Sequence, residues 1–510
     1  MATDTIAGRQ IFALKKNLDS LAAGIIGFYI IYLLTRHSGI GLSPDSVNYL
    51  SVARNFREGK GLVQFDHIPL VDFPGCYPVF LGIISFITRL DPLQFAPVLN
   101  GCMFALLIYT SGSLMNGFYT PSKWYKLIIL SFILFSPCLL EVFPMLWSET
   151  LFIVELLFFL FAMSSYFRTH KTSTLLVAAA VASIAAVTRY AGITIIATGC
   201  FLITFDFHFR TRKRFLHALL FGSISSLLII INLARNLIVF GYSTGMRQKG
   251  VTPLWENMYY YGSVLCEWLP FPKEQYFLSL LVAVLVILLL FLLLLPTMGG
   301  INRKFSYEEV ATAFGLVYSL FIIFSATVSR YQQLNSRLLS PLFIPFIWAI
   351  SFRIPRAMKK LSGKWKWAAL GFIVVLTCGF QYNQLTADYE TYDGVRDAGV
   401  PGYTEDPFPQ SDIVKYIEKN AGQFIKGYTI YSNAAEAVYL FTGLSSDMLP
   451  QLAYQYQVDR FLTENHIYLV WFNEIVDPDV PLLKDILARR PMVKLQDLKA
   501  GSVWISEGSK

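Results

Sequence analysis

The chain has 510 residues, of which 55% are hydrophobic and 15% charged, and its formal net charge is +8. Soluble domains carry about 25% charged residues, so a single soluble domain, a disordered chain and a small disulfide-bonded protein are excluded. The positive charge does not indicate nucleic-acid binding, because cytoplasmic loops of membrane proteins are rich in Lys and Arg and no aromatic-plus-basic module is present. We therefore expect a polytopic membrane protein that binds membrane lipids and no nucleic acid.

Apolar runs long enough to cross the bilayer as helices recur along most of the chain. The run 76–90 is shorter and is bounded by prolines, and we expect it to lie on the outer surface as an amphipathic helix. If it crossed, the later basic loops would all face outward, against the positive-inside rule. The remaining runs predict 11 transmembrane helices, at 19–36, 94–112, 125–142, 150–167, 173–188, 191–206, 215–233, 277–296, 309–327, 338–352 and 366–385.

The same rule places the N-terminus, with Lys15 and Lys16, in the cytoplasm and the C-terminus outside. Residues 1–385 form the predicted transmembrane body, with long outer loops at 37–93 and 234–276. Residues 386–510 are polar, and we expect them to form a small extracytoplasmic α/β domain. Its predicted elements are a helix at 411–420 and strands at 428–431, 467–472, 492–495 and 502–505.

The first outer loop contains Asp45 directly after Pro44, where a helical pattern begins. One interpretation is an N-cap aspartate that accepts hydrogen bonds from the free N–H groups of that helix. The other is a functional carboxylate, since Asp66, His67 and Asp72 follow in the same loop. Both interpretations stay open at this point.

The second outer loop is short and places Glu149 where the fourth span begins. Its carboxylate is either a favourable charge at a helix N-terminus or a second functional acid. Two carboxylates at the outer surface, Asp45 and Glu149, can hold a divalent metal ion, or one of them can act as a general base. Glu155 lies about a turn and a half further along and points away from Glu149. As an intramembrane acid it is a further functional candidate, which could pair with a polar neighbour.

Four arginines also fall on the outer side, at the ends of spans. Arginine binds phosphate groups with two parallel hydrogen bonds, so a ring of arginines beside acids suits a phosphorylated lipid whose head group reacts there. The competing interpretation is that these arginines only extend their charged ends towards the lipid head groups. The four residues are Arg189, Arg235, Arg330 and Arg337.

Several segments, in this order, resemble the GT-C glycosyltransferases of the dolichyl-phosphate-mannose protein mannosyltransferase and lipid A aminoarabinose transferase type. These segments are PDSVNYLSVARNFREGKGL, DFPGCYPVFLGIISFI, LWSETLF, VTRYAGI, ARNLIVFG and SRYQQLNSRLLSPLFIPF. The tail from SDIVKYIEKN to YTIYSNAAEAVYLFTG is similar to the outward C-terminal domain of bacterial members. Ser46 stands where many members have a second acidic residue, and Glu149 where many have Asp.

The resemblance implies a GT-C fold and a polyprenyl-phosphate sugar donor, which reacts with inversion at the extracytoplasmic face of the bacterial inner membrane. The acceptor would be a lipid, a glycan of the cell envelope or a protein, and the sugar a hexose or a pentose. Asp45 would be the base and Glu149 would support it. The donor phosphate would be bound by Arg235, Arg330 and Arg337, with Arg189 as a further candidate. A divalent metal ion is a candidate cofactor, with Asp45, His67 and Asp72 as its candidate ligands.

Other functional classes remain open. A flippase or transporter for a lipid-linked sugar would favour inverted repeats and polar residues at the bilayer midplane, and the sequence shows no repeat. A ligase or polymerase that transfers a whole glycan would use similar arginines and would differ in the length of its product. A purely structural membrane protein would not require the acids at the outer surface.

Overall fold

The computed structural model describes residues 17–116, 122–269, 271–298, 305–330 and 332–506. Lys15 and Lys16 therefore lie outside the described residues. The chain divides into two compact units. The helical unit contains the chain up to Leu33, Val71–Tyr77 and Pro97–Gly394. The mixed unit contains Leu34–Leu70, Pro78–Ala96 and Val395–Lys510.

Helices account for nearly all of the regular structure before residue 399. In chain order they are α1 Leu18–Thr35, α2 Pro44–Arg57, α3 Cys76–Thr88, α4 Pro92–Met115, α5 Lys123–Leu134, α6 Pro137–Val142, α7 Ser148–Thr169, α8 Thr172–Thr188, α9 Ile193–Thr204, α10 Thr211–Phe240, α11 Leu254–Trp268, α12 Tyr276–Met298, α13 Tyr307–Val328, α14 Ser336–Leu339, α15 Phe343–Ser351, α16 Ile354–Lys360 and α17 Gly363–Ala398. Short 3-10 turns at Tyr190–Gly192 and Ser340–Leu342 precede α9 and α15.

Within the described residues, nine helical stretches are long and apolar enough to cross a membrane. Two further predicted spans appear as the shorter apolar helices α8 and Tyr190–Thr204. The 13-residue helix α3 corresponds to the predicted surface helix. The chain is thus a multi-pass membrane protein, as predicted.

Helix α7 is the most enclosed of the long apolar helices, with 78% of its most apolar window buried. A helix that is apolar on all sides is covered either by lipid or by other helices, and here other helices cover most of it. It packs closely against α8 and also contacts α13 and the 3-10 turn Ser340–Leu342. Its first turn, which carries Glu149, is therefore held by neighbours on several sides.

The C-terminal part of the mixed unit is an α/β domain, as predicted. The elements are α18 Asp412–Lys419, β1 Thr429–Ser432, α19 Ala435–Thr442, β2 Asp447–Met448, α20 Gln455–Thr463, β3 Ile467–Phe472, α21 Leu483–Arg489, β4 Val493–Asp497 and β5 Gly501–Ser506, with a 3-10 turn at Ala421–Gln423. The sheet has the order β2-β1-β3-β5-β4, in which β1 pairs in parallel with β2 and β3 and the other pairs are antiparallel. A buried cluster that includes Leu469, Phe461 and Ile486 forms the core of this domain.

Helix α17 continues across the boundary at 385/386 that the hydropathy predicts. Polar residues from Thr386 onward end the apolar run, but no proline interrupts the helix before Ala398. Loss of hydropathy therefore marks the end of the apolar segment and not the end of the helix.

Candidate functional site

Glu149 lies in the first turn of α7 and its side chain has no exposed surface. Arg189 Nη1 lies 2.5 Å from Glu149 Oε2, and Arg337 Nε lies 2.6 Å from Glu149 Oε1. The two guanidinium groups thus engage both oxygens of one carboxylate.

The local structure at helix ends positions both arginines. Arg189 is extended, with φ −144°, between α8 and the turn that begins at Tyr190. A Cβ atom at Gly192 would overlap the backbone at Ala185, so glycine permits this turn to pack on the end of α8. Arg337 lies in the first turn of α14, where the Asn335 side chain accepts a hydrogen bond from the Leu338 N–H at 3.0 Å.

The two guanidinium groups are largely enclosed but keep some access to the surface. The side chains of Arg189 and Arg337 are 16% and 11% exposed. The Arg337 guanidinium also stacks over the Trp147 ring at 3.9 Å, and Arg189 donates to Ser148 Oγ at 3.2 Å. These contacts fix the guanidinium planes.

Three of the predicted site residues, Glu149, Arg189 and Arg337, are therefore in contact. Two other predicted arginines, Arg235 and Arg330, have different contacts. Arg235 donates to Asn236 Oδ1 at 3.0 Å. Arg330 donates to Gln248 Oε1 at 3.1 Å, and its backbone N–H donates to the Gln248 carbonyl at 2.9 Å.

The segment that carries Asp72 is anchored to the helical unit through its backbone. Tyr190 Oη donates to the Val71 carbonyl at 2.9 Å, and Arg247 Nη2 donates to the Asp72 carbonyl at 3.3 Å. A Cβ atom at Gly245 would collide with the Asp72 carboxylate, which shows how closely this loop approaches it.

Glu155 is buried in α7 with 7% of its surface exposed. Its Oε1 accepts a hydrogen bond from Thr188 Oγ1 at 2.9 Å, while its Oε2 has no hydrogen-bond partner among the described residues. Thr188 directly precedes Arg189, so this acid contacts the end of α8 from inside the bundle.

Asp45 lies in the mixed unit, in the first turn of α2. The N-cap residue of that helix is Ser43, whose N–H donates to Ser46 Oγ at 3.1 Å in a capping-box arrangement. The N-cap interpretation of Asp45 is therefore wrong, since serines provide the cap and proline occupies the first helical position.

Helix α19 of the C-terminal domain packs against α2 and adds an acid that the sequence did not single out. Glu436 is only 7% exposed. Burial, together with the nearby carboxylates of Asp45 and Asp66, raises the pKa of Glu436 to about 7. Burial and the carboxylates of Asp66 and Glu464 raise the pKa of Asp447 to about 6. Within the mixed unit, Glu436 thus lies near Asp45 and Asp66, and Asp447 lies near Asp66.

The predicted metal ligands are split between the two units, with Asp72 in the helical unit and Asp45 and His67 in the mixed unit. Across the described ranges, no group of three or more His, Cys, Asp or Glu side chains is arranged to hold a metal ion. The metal site stays a prediction, and no step below uses a metal.

An apolar cavity of about 130 Å³ lies in the helical unit. Trp268 lines it and also donates through Nε1 to Ser336 Oγ at 3.0 Å, one residue before Arg337. One lining residue of the cavity thus contacts the residue that precedes Arg337, and its walls are apolar side chains. Further lining residues are Leu289, Leu293, Phe343, Phe346 and Phe380.

No protein-family model matches the sequence, and no curated protein matches it either. Solved structures do match. ArnT from Cupriavidus metallidurans in its apo state superposes with a TM-score of 0.59 at 12% identity, covering 99% of this chain and 100% of that chain. The same ArnT bound to undecaprenyl phosphate gives a TM-score of 0.57 at 12% identity, covering 97% and 99%. ArnT is a lipid A aminoarabinose transferase of the GT-C type. The chain therefore has the GT-C glycosyltransferase fold, as its sequence resemblance predicted.

Proposed function

We propose that the chain is a membrane glycosyltransferase that moves a sugar from a polyprenyl-phosphate donor to an acceptor on the extracytoplasmic face, with inversion. The observation that carries this proposal is the Glu149–Arg189–Arg337 cluster at the end of a buried transmembrane helix. The GT-C fold supports it, and an ArnT of that fold was solved with undecaprenyl phosphate bound.

In this proposal Arg189 and Arg337 bind the donor phosphate. A phosphate leaves with negative charge, and prearranged guanidinium groups in a water-poor site stabilise that charge as it develops. Both oxygens of Glu149 already accept from arginines, so Glu149 is a positioning residue that holds the two guanidinium planes. This assigns Glu149 a different role from that of a base.

The isoprenoid chain of the donor would occupy the apolar cavity beside Trp268. Apolar side chains form its walls, and each buried methylene of a lipid contributes about 0.8 kcal/mol. Arg235 and Arg330 remain candidates for secondary phosphate contacts.

The proposed reaction is a single displacement. The acceptor oxygen attacks the anomeric carbon, the bond from that carbon to the phosphate oxygen breaks, and the phosphate keeps the electron pair. Asp45 takes the proton from the acceptor hydroxyl, as a general base does. Attack on the face opposite the leaving phosphate inverts the anomeric centre. No covalent enzyme intermediate is needed.

The proposed location is the plasma membrane, in bacteria the inner membrane, with a cytoplasmic N-terminus and an external C-terminal domain. The supporting observation is the concentration of basic residues in the loops assigned to the inside, such as Arg210, Arg212, Lys213 and Arg214.

The proposal is tested by measuring the binding of undecaprenyl phosphate to purified full-length protein. Arg337→Lys keeps the charge but loses the planar donor pair, so we expect affinity to fall at least about tenfold. Arg212→Lys makes the same change at an exposed position in the first turn of α10 and should bind like wild type. Equal affinity of Arg337→Lys and wild type would contradict the assignment of the phosphate site.

A further inference from the structure

The break between α8 and α9 is anchored through three consecutive side chains. The guanidinium of Arg189 binds Glu149 at 2.5 Å, and the hydroxyl of Tyr190 donates to a backbone carbonyl at 2.9 Å. Thr188, the last residue of α8, donates through Oγ1 to Glu155 Oε1 at 2.9 Å. The residues on both sides of Arg189 are therefore fixed, as well as its guanidinium.

Two acids of the same helix, Glu149 and Glu155 of α7, hold adjacent residues at the end of α8. They lie six residues apart, which is about 9 Å along the helix axis. Arg189 between α8 and the following turn is extended, with φ −144° and ψ 141°. A long side chain such as that of arginine has many rotamers, so one geometry requires both its backbone and its head group to be held. Helix α7 supplies both of these anchors.

The contact between Glu155 and Thr188 is not explained by stability. Thr188 Oγ1 also lies 3.1 Å from the Ile184 carbonyl of its own helix, so this hydroxyl has an acceptor without Glu155. Glu155 is only 7% exposed, and its Oε2 has no hydrogen-bond partner among the described residues. A buried oxygen without a partner lowers stability, and an apolar side chain of similar size would avoid that cost. Residues kept at such a cost are expected where activity requires them.

We propose that Glu155 is a positioning residue of the donor-phosphate site, which acts through Thr188 on Arg189. By accepting the hydrogen bond from Thr188, it holds the last turn of α8 against α7. Arg189 then leaves the helix with its guanidinium at Glu149. Glu155 itself contacts neither the phosphate nor the sugar in this proposal. The inference rests on the proposed function, since it needs Arg189 to bind the phosphate.

The first test measures the affinity of purified full-length variants for undecaprenyl phosphate. Glu155→Leu removes the acceptor, and Thr188→Val replaces the hydroxyl by a methyl group. We expect either change to weaken binding about three- to tenfold, the range for loss of one neutral hydrogen bond, because Arg337 remains in place. The double variant should bind no more weakly than either single variant, since both remove the same contact. Additive losses would show that the two side chains act separately and would overturn the proposal.

Conservative variants show whether the hydrogen bond itself matters. Glu155→Gln keeps an acceptor oxygen and Thr188→Ser keeps the hydroxyl, so both should recover most of the affinity. Ser164→Ala is the matched control, because Ser164 is also buried in α7 and its Oγ has no partner among the described residues. It should bind like wild type. Affinity as low in Thr188→Ser as in Thr188→Val, or an equal loss in Ser164→Ala, would contradict the proposal.

Thermal unfolding of the same proteins separates positioning from a general structural role. Glu155→Leu should melt at or above the temperature of wild type, because a buried oxygen without a partner is removed. A lower melting temperature together with weaker binding would identify a structural residue and overturn the proposal. Absence of undecaprenyl phosphate binding by wild type would refute the proposed function. Binding by wild type that is matched by Glu155→Leu would refute this inference alone.

Discussion

Glu149 is a buried carboxylate whose two oxygens are each bound by a different arginine. Such an arrangement is stable only while every member is present, because loss of one leaves uncompensated buried charge. The cluster therefore fixes the geometry of the two guanidinium groups more tightly than isolated surface ion pairs would. Residues of this kind affect stability and ligand binding together.

Glu149→Gln is predicted to destabilise the protein by about 3 kcal/mol or more, since two buried arginines lose their shared anion. The free energy of unfolding of the purified variant, measured by thermal or denaturant unfolding, tests this prediction. Glu474→Gln, an exposed position, serves as the control. If Glu149→Gln were as stable as wild type, the two ion pairs would not hold the arginines in place.

The acids of the mixed unit predict a pH dependence. The pKa of Glu436 is raised to about 7 and that of Asp447 to about 6, so the folded state binds these protons more tightly than the unfolded state. Stability should then fall as the pH rises from about 4.5 to about 7 and change little from these groups above that. The melting temperature of Glu436→Gln relative to wild type should accordingly be higher at pH 8 than at pH 5. A difference that is equal at both pH values would contradict this assignment.

The sequence predicted several site residues individually but not their connections. Asp45, Glu149, Arg189 and Arg337 stand out because they are charged residues in segments assigned to the outer side of the membrane. That Glu149 pairs with arginines 40 and 188 positions later depends on tertiary packing, which no local pattern encodes. Glu436 lies within a short amphipathic stretch, and its burial against α2 gave no local signal.

At the scale of elements, the break between α8 and α9 is the feature that places Arg189. Apolar periodicity predicted two spans separated near Arg189, and the structure has that break. The tight turn requires the absence of a side chain at Gly192, where a Cβ atom would overlap the backbone of Ala185 and Ala186. Gly192 is thus required for the turn that positions Arg189, a candidate for phosphate binding.

Gly192→Ala is predicted to destabilise the protein by about 1–3 kcal/mol and to weaken undecaprenyl phosphate binding, because the end of α8 must move. Gly371→Ala is the matched control, since nothing lies within 4 Å of its Cβ position in helix α17. Alanine there should be neutral or slightly stabilising, by up to about 1 kcal/mol. The explanation fails if Gly192→Ala behaves like the control.

Local sequence patterns were sufficient to predict most strands of the C-terminal domain. The four predicted strands are present as β1, β3, β4 and β5, since runs of β-branched and aromatic residues specify them. The two-residue strand β2 was not predicted, because two residues cannot show an alternation. The short helices α19, α20 and α21 were not predicted either.

At the scale of the whole molecule, the sequence predicted a membrane body followed by a C-terminal domain. The structure groups Leu34–Leu70 and Pro78–Ala96 with Val395–Lys510 in one compact unit. This grouping joins segments more than 300 residues apart, and hydropathy carries no information about such pairing. The first outer loop and the C-terminal domain are therefore expected to respond together to mutation.

The orientation of the chain is a separate prediction at this scale. Glu418→Cys on α18 should react with a membrane-impermeant maleimide added to intact cells, in a background without the six native cysteines. Arg212→Cys should react only after the membrane is opened. The reverse pattern would place the C-terminal domain in the cytoplasm and contradict the proposed location.

The central claim is tested most directly by transfer of radiolabelled sugar from polyprenyl-phosphate donors in membranes that contain wild type or Asp45→Asn at equal expression. Removing the charge from the proposed base should lower transfer by about 100-fold or more while undecaprenyl phosphate still binds. Equal transfer by wild type and Asp45→Asn would contradict the assignment of the base, and absence of transfer from every polyprenyl-phosphate donor by wild type would contradict the proposed glycosyltransferase activity itself.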